Sequence, residues 1–154
     1  MVAVHTLEVY PTVEELNEAV GRAFLARLST LIDEAGADSR INLAISGGAI
    51  TTSLLPSLLP FVGDVDWSRV RVWLVDERYV PAGDEDRNDD QAWEGFFHAA
   101  SGVEFVRMPS ADASAPGAGS LDEATAAFAD TWRDLMGERS FDIALIGMGP
   151  DGHI

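Results

Sequence analysis

The chain has 154 residues, of which 47% are hydrophobic and 23% are charged, a composition typical of one folded domain and not of a disordered segment. It contains no cysteine, which excludes disulfide bonds and thiolate metal sites. The formal net charge is −16, and all basic residues are scattered arginines, which argues against nucleic acid as a partner.

No apolar run approaches the roughly 20 residues that a membrane-spanning helix needs, so we expect no membrane partner. The N-terminal segment 1–11 lacks the basic start and the long apolar run of a signal peptide. Together these features predict a cytoplasmic protein.

The predicted elements alternate between strand and helix along the chain. Residues 5–9 are predicted to form a short strand, and Thr12 with Glu15 makes a capping box for a long helix whose apolar residues recur at helical spacing. A second pair, Ser120 with Glu123, marks the start of a helix that reaches about residue 136. The remaining predicted strands are 41–46, 70–77, 103–108 and 141–146, with helices after residue 48 and over about 91–100.

This alternation predicts an α/β fold with a mostly parallel sheet covered by helices on both faces, in a single domain over residues 1–154. Two strand segments, 72–75 and 143–146, are continuously apolar, which is the pattern of strands buried on both faces. We therefore expect the last strand to be central in the sheet, with a neighbour on each side.

Three short segments follow predicted strands, and ligands of open α/β sheets bind beyond the carboxyl ends of the strands. These segments are Ser46-Gly47-Gly48, Asp76-Glu77-Arg78 and the turn from Gly147 to His153. Together they offer glycine-rich backbone, carboxylates, an arginine and a histidine, a set that suits a small anionic substrate.

The first two segments each allow two interpretations. The pair Gly47-Gly48 either only lets the chain turn or presents backbone N–H groups to a phosphate at a helix N-terminus, where Thr51 adds a hydroxyl. The charged residues 76–78 either form an ion-pair cluster or bind a ligand, and their position directly after a buried strand favours the second interpretation.

The acidic run from Asp84 to Asp90 resembles a calcium-binding loop at several positions. Asp89 stands where such a loop needs a glycine for its sharp turn. We therefore predict a solvated loop here, with no metal.

The last turn contains the letters GMGPDG, which fit the dinucleotide-binding pattern G-x-G-x-x-G. That fingerprint belongs to the first strand–helix turn of a unit and requires an acidic residue about 20 positions further on, which this segment does not offer. Asp151 and His153 indicate different chemistry, because histidine exchanges a proton near neutral pH and a neighbouring carboxylate can orient it. We interpret this turn, with Gly149, as part of a hydrolytic or proton-transfer site.

The segments LAISGG, WLVDERYVP and ALIGMGPDGH, in that order, resemble the 6-phosphogluconolactonase family and, more loosely, the related glucosamine-6-phosphate deaminases. The resemblance implies a three-layer α/β/α sandwich. It also implies hydrolysis of 6-phospho-D-glucono-1,5-lactone to 6-phosphogluconate in the pentose phosphate pathway, with no metal and no organic cofactor. The alternatives are a deaminase-type isomerase, whose motif has a tyrosine at the position of Arg78, and a non-catalytic sugar-phosphate-binding domain.

By the same resemblance, His153 is the general base, Arg78 stabilises negative charge and Asp151 helps to orient the site. The substrate contacts that it implies are Ser46, Gly47, Gly48, Thr51, Asp76, Glu77 and Gly149. Family members continue well beyond the histidine, so we expect this chain to be the N-terminal portion of the enzyme, with a fold incomplete at the C-terminus and no activity by itself. We expect the protein to be a monomer or a weak homo-oligomer.

Overall fold

The computed structural model describes residues 5–112 and 119–154. One sheet contains four strands, all parallel: β1 Ile41–Ile45, β2 Val70–Leu74, β3 Glu104–Val106 and β4 Ile143–Leu145. Their order across the sheet is β3-β2-β1-β4. Ile45 pairs with Leu74 on one side and with Leu145 on the other, so these three strands end level with one another.

The helices begin where the sequence places their caps. The side chain of Thr12 accepts a hydrogen bond from the N–H of Glu15, and that of Ser120 accepts one from the N–H of Glu123, as the two capping pairs predict. The helices are α1 Val13–Glu34, α2 Leu55–Ser57, α3 Asn88–Gly95 and α4 Leu121–Leu135, with a π-helical turn Ile50–Leu54 directly before α2. Short 3-10 turns occupy Leu59–Asp64, Trp67–Arg69 and Phe97–Ala99.

Helices cover both faces of the sheet. On one face, Phe24 and Leu28 of α1 belong to the large buried cluster that includes Leu43 of β1 and Phe96 at the end of α3. On the other face, Trp73 of β2 packs against α4 side chains, with its ring centroid 5.1 Å from that of Trp132. Successive side chains of a strand point to opposite faces, so each strand serves both layers. The predicted three-layer α/β/α arrangement is confirmed.

The structure contradicts one prediction about strands and leaves another untested. Residues 5–9 form no strand, and Leu7 and Val9 are 89% and 83% exposed. The last strand, β4, is an edge strand in the described part of the chain: it pairs only with β1, and Ala144 is exposed. The expected central position concerns the longer protein, and it stays a prediction.

None of the helices in the described residues combines the length and the apolar character required to cross a membrane.

Candidate active site

A cavity of about 880 Å³ lies at the carboxyl edge of the sheet, where the turns after β1, β2 and β4 meet. Because these strands are parallel and end level with one another, their three turns come to one place. All of the predicted site residues except Thr51 and Glu77 line this cavity: Ser46, Gly47, Gly48, Asp76, Arg78, Gly149, Asp151 and His153.

Ser46 connects the turn after β1 to the turn after β4. Its backbone N–H donates to the carbonyl of Leu145 at 3.0 Å, and its Oγ accepts a hydrogen bond from the N–H of Gly147 at 2.9 Å. Gly48 completes the first turn with φ of +64°, a conformation that residues with a side chain rarely adopt. The hydroxyl predicted to contact substrate therefore also holds two walls of the cavity together.

Thr51 lies under the first turn and outside the cavity. It is only 1% exposed, and its hydroxyl lies 3.0 Å from the carbonyl oxygen of Gly48 and 3.2 Å from Oε1 of Gln91. A hydroxyl occupied in this way supports the backbone of the glycine turn. The structure does not bring Thr51 to the predicted substrate.

Glu77 is the second predicted residue that the cavity does not include. Its Oε1 accepts hydrogen bonds from the N–H groups of Arg78 and Asn88, and its Oε2 accepts one from the N–H of Asp89, all at 2.8 Å. The first N–H groups of a helix have no partner within the helix, and a carboxylate there also interacts favourably with the helix dipole. Glu77 thus caps α3 and anchors the turn after β2 to that helix.

Arg78 is the positive charge of the cavity. Its side chain is exposed, and in the described ranges no hydrogen bond or ion pair of its guanidinium is seen. A free guanidinium offers planar, paired N–H donors to a carboxylate, a phosphate or a developing oxyanion. In a chain with a net charge of −16, such a group provides the local attraction for an anion that the overall field opposes.

Arg87 lies behind the same turn and is almost completely buried, with 2% of its surface exposed. Its Nε and Nη2 donate to the carboxylate of Asp89 at 3.0 and 2.8 Å, and its guanidinium also donates to the carbonyls of Arg78, Val80 and Met108. The hydrogen bonds to Asp89 raise the pKa of Arg87 above its ordinary value, against the opposing effect of burial. Arg87 therefore fixes the backbone path of the loop that presents Arg78.

Asp89 is the buried counter-ion of this cluster. Burial by itself raises the pKa of its carboxyl, but the hydrogen bonds from Arg87 and the charges of Arg87 and Arg107 outweigh that effect. The result is a pKa below the ordinary value for aspartate, and the side chain stays ionised at neutral pH.

The prediction of a solvated loop over 84–90 is wrong at its centre, because Arg87, Asn88 and Asp89 are all buried. The letters DEDRNDD look like a hydrophilic surface run, and only the single arginine among acids hints at an internal ion pair. Burial of this segment depends on the Glu77 carboxylate and on three backbone carbonyls. Glu77 is distant from the segment in sequence, and a backbone carbonyl cannot be recognised from the residue type. In the ranges 5–112 and 119–154, no group of three or more His, Asp or Glu side chains is arranged to hold a metal ion.

The turn after β4 carries Asp151 and His153 into the cavity. The N–H of Gly149 donates to the carbonyl of His153 at 2.8 Å, and the N–H of His153 donates to Oδ1 of Asp151 at 3.1 Å. Asp151 thus orients the backbone of the turn, and both Asp151 and His153 line the cavity.

Comparison with known proteins gives a consistent result. A family model described as glucosamine-6-phosphate isomerases/6-phosphogluconolactonase matches residues 11–154. The chain is 31% identical over 147 residues to a 6-phosphogluconolactonase of Streptomyces coelicolor, covering 89% of this chain and 56% of that protein. It is 32% identical over 148 residues to one of Rhizobium meliloti, covering 96% of this chain and 58% of that protein.

Solved structures show the same relationship. The crystal structure of a 6-phosphogluconolactonase from Shewanella baltica superimposes with a TM-score of 0.74 at 26% identity, covering 94% of this chain and 57% of that chain. The one from Thermotoga maritima gives a TM-score of 0.69 at 26% identity, covering 89% of this chain and 57% of that chain. The chain therefore spans somewhat less than two thirds of the length of the relatives it matches.

Proposed function

The chain belongs to the family of glucosamine-6-phosphate isomerases and 6-phosphogluconolactonases, and from that premise we propose that the protein carrying it hydrolyses 6-phospho-D-glucono-1,5-lactone to 6-phosphogluconate. One observation carries the choice of reaction: the cationic Arg78 and the Asp151–His153 turn line the same cavity at the carboxyl edge of the sheet. A lactone ring opens by attack of water on its carbonyl carbon, and that reaction needs a base for the water and positive charge for the oxyanion.

His153 is the general base of this proposal. Its imidazole takes a proton from a water molecule as the water oxygen bonds to the lactone carbonyl carbon. The tetrahedral intermediate then collapses, and the bond from that carbon to the ring oxygen breaks. The ring oxygen receives the proton held by His153 and becomes a hydroxyl group. The products are a carboxylic acid and a free hydroxyl, with all atoms of the water retained.

Arg78 supplies the positive charge. The carbonyl oxygen becomes an anion in the transition state, and a guanidinium that holds no partner in the described residues is available to donate to it or to the phosphate of the substrate. Its position is set by the buried contacts of Glu77 and Arg87 behind it, so little reorganisation is needed when the substrate arrives.

The wider context follows from the same proposal. The reaction is a step of the pentose phosphate pathway, and a chain without cysteine has no need of an oxidising compartment, which supports a cytoplasmic location.

The test is a lactonase assay on the protein at its natural full length, with the uncatalysed hydrolysis of the lactone subtracted. We expect His153→Ala to lower kcat by about 10²–10⁴, the usual scale for general acid–base catalysis. His98→Ala is the matched control, because His98 lies away from the cavity, with Nδ1 3.1 Å from the carbonyl of Trp93.

Two results would reject the proposal. Ammonia release from glucosamine 6-phosphate without accelerated lactone opening would assign the site to the isomerase branch of the family. Undiminished turnover in His153→Ala would remove the proposed base.

A further inference from the structure

Asn88, the first residue of α3, contacts both of the neighbouring turns that line the cavity. Its Nδ2 donates to the carbonyl oxygen of Asp76 at 3.2 Å, and its backbone N–H donates to the Glu77 carboxylate at 2.8 Å. The residue is 7% exposed and lies in the cavity wall. Its amide is therefore a fixed part of the turn after β2 and not a mobile surface group.

The same side chain packs against the turn after β1. A Cβ atom on Gly47 would lie 2.0 Å from Oδ1 and 2.5 Å from Cγ of Asn88, far inside contact distance. The positive φ of this turn occurs at Gly48, while Gly47 has no such conformation. The reason for a glycine at position 47 is therefore the space that Asn88 occupies.

We propose that Asn88 is a positioning residue that fixes the separation between the Gly47–Gly48 turn and the Asp76–Arg78 turn. The inference rests on the proposed lactonase function for its catalytic consequence. Arg78 is two residues from the carbonyl that Asn88 holds, and Gly47 is beside Ser46, which is bonded to the turn that carries His153. Asn88 thus links the positive charge of the cavity to the turns on its opposite side.

A small displacement at this point has a large catalytic effect, since a misplacement of about 1 Å far from the reacting atoms can lower a rate roughly a hundredfold. A Cβ at position 47 forces either Asn88 or the backbone of the glycine turn to shift, and a shift of the Asn88 side chain strains its hydrogen bond to the carbonyl of Asp76. The two positions are therefore coupled, and substitutions at them are not additive.

The experiment is a double-mutant cycle on the protein at its natural full length, with Gly47→Ala, Asn88→Ala and the combined variant. We expect Gly47→Ala to lower kcat/KM by about tenfold or more in the presence of Asn88 and by less than about threefold in the Asn88→Ala background, as expected for residues in contact. Gly63→Ala is the matched control, because a Cβ there meets nothing within 4 Å.

Asn88→Asp separates positioning from packing. It keeps the shape that excludes a side chain at position 47 but loses the N–H that holds the carbonyl of Asp76. We expect its kcat to fall while KM changes less, and we expect Gly47→Ala to remain damaging in its background. Equal kcat in Asn88→Asp and wild type, measured well below the thermal transition, would show that the amide only packs.

Thermal unfolding provides a readout that does not depend on the reaction. Gly47→Ala should lower Tm by more with Asn88 than with alanine at position 88. If the lactonase assay is negative but this coupling in Tm is present, the proposed function is rejected while the positioning contact between Asn88 and Gly47 is supported. Additive effects in both kcat/KM and Tm would overturn the positioning role.

Discussion

Two arginines, nine positions apart on the same loop, have opposite environments. The guanidinium of Arg78 is exposed at the cavity and holds no partner among the described residues, whereas Arg87 is 2% exposed and donates to Asp89 and to three carbonyls. One of those carbonyls belongs to Arg78 itself. The buried arginine thus holds the backbone from which the exposed arginine extends.

The contrast shows that one loop carries a charge that supports the fold, on Arg87, and a charge available to a ligand, on Arg78. Replacing both partners of a buried ion pair by apolar residues changes the stability of a protein little. Removing only one partner leaves a buried charge without compensation and destabilises the fold much more. An exposed guanidinium contributes little to folding and keeps its donors available for an anion. The two residues should therefore respond differently to substitution, Arg87 in stability and Arg78 in catalysis.

The largest effect is expected for Arg87→Met, which removes the buried cation that Asp89 and Glu77 share and leaves Asp89 with only the half-exposed Arg107 at 3.2 Å. We expect the free energy of unfolding to fall by about 3–5 kcal/mol, measured by denaturant unfolding. Arg22→Met is the matched control, because the ion pair of Arg22 with Glu18 on α1 is exposed. Equal stability of the two variants would show that the buried cluster does not support the fold.

Acid should remove part of the same stabilisation. The folded-state pKa of Asp89 lies below its unfolded value, so its contribution is complete above about pH 3.9 and is lost as pH falls through the folded-state pKa. In Arg87→Met the main cause of the lowered pKa is absent, so the stability difference from wild type should narrow on acidification. Unfolding measured at pH 7 and below pH 4 tests this, and a constant difference would contradict it.

The third effect is catalytic. Loss of one charge-assisted hydrogen bond of about 1.5–3 kcal/mol predicts that Arg78→Ala lowers kcat/KM for the lactone roughly ten- to hundredfold. Its free energy of unfolding should stay close to that of wild type, because the side chain is exposed and its guanidinium forms no hydrogen bond or ion pair within residues 5–112 and 119–154. A full-length variant with unchanged kcat/KM would remove Arg78 from the proposed mechanism.

Most of the site was predictable from sequence because its residues follow strands directly. Parallel strands that end level with one another bring the turns that follow them together. Ser46, Asp76 and Asp151 could therefore be assigned to one site without knowledge of the packing. The same reasoning could not show that Thr51 and Glu77, which lie near these turns, do not line the cavity. Whether a side chain near a turn faces the cavity or the interior depends on partners such as Gln91 and the N-terminus of α3.

By itself, the sequence determined the order of the elements, the two helix caps and the three turns, because caps, glycines and apolar periods act over a few residues. Only the tertiary structure decided that residues 5–9 form no strand and that Arg87, Asn88 and Asp89 are buried. These outcomes depend on neighbours distant in sequence, such as the Glu77 carboxylate and the Met108 carbonyl. Burial of a polar segment is favourable only when such partners satisfy it, and no local pattern of letters records their presence.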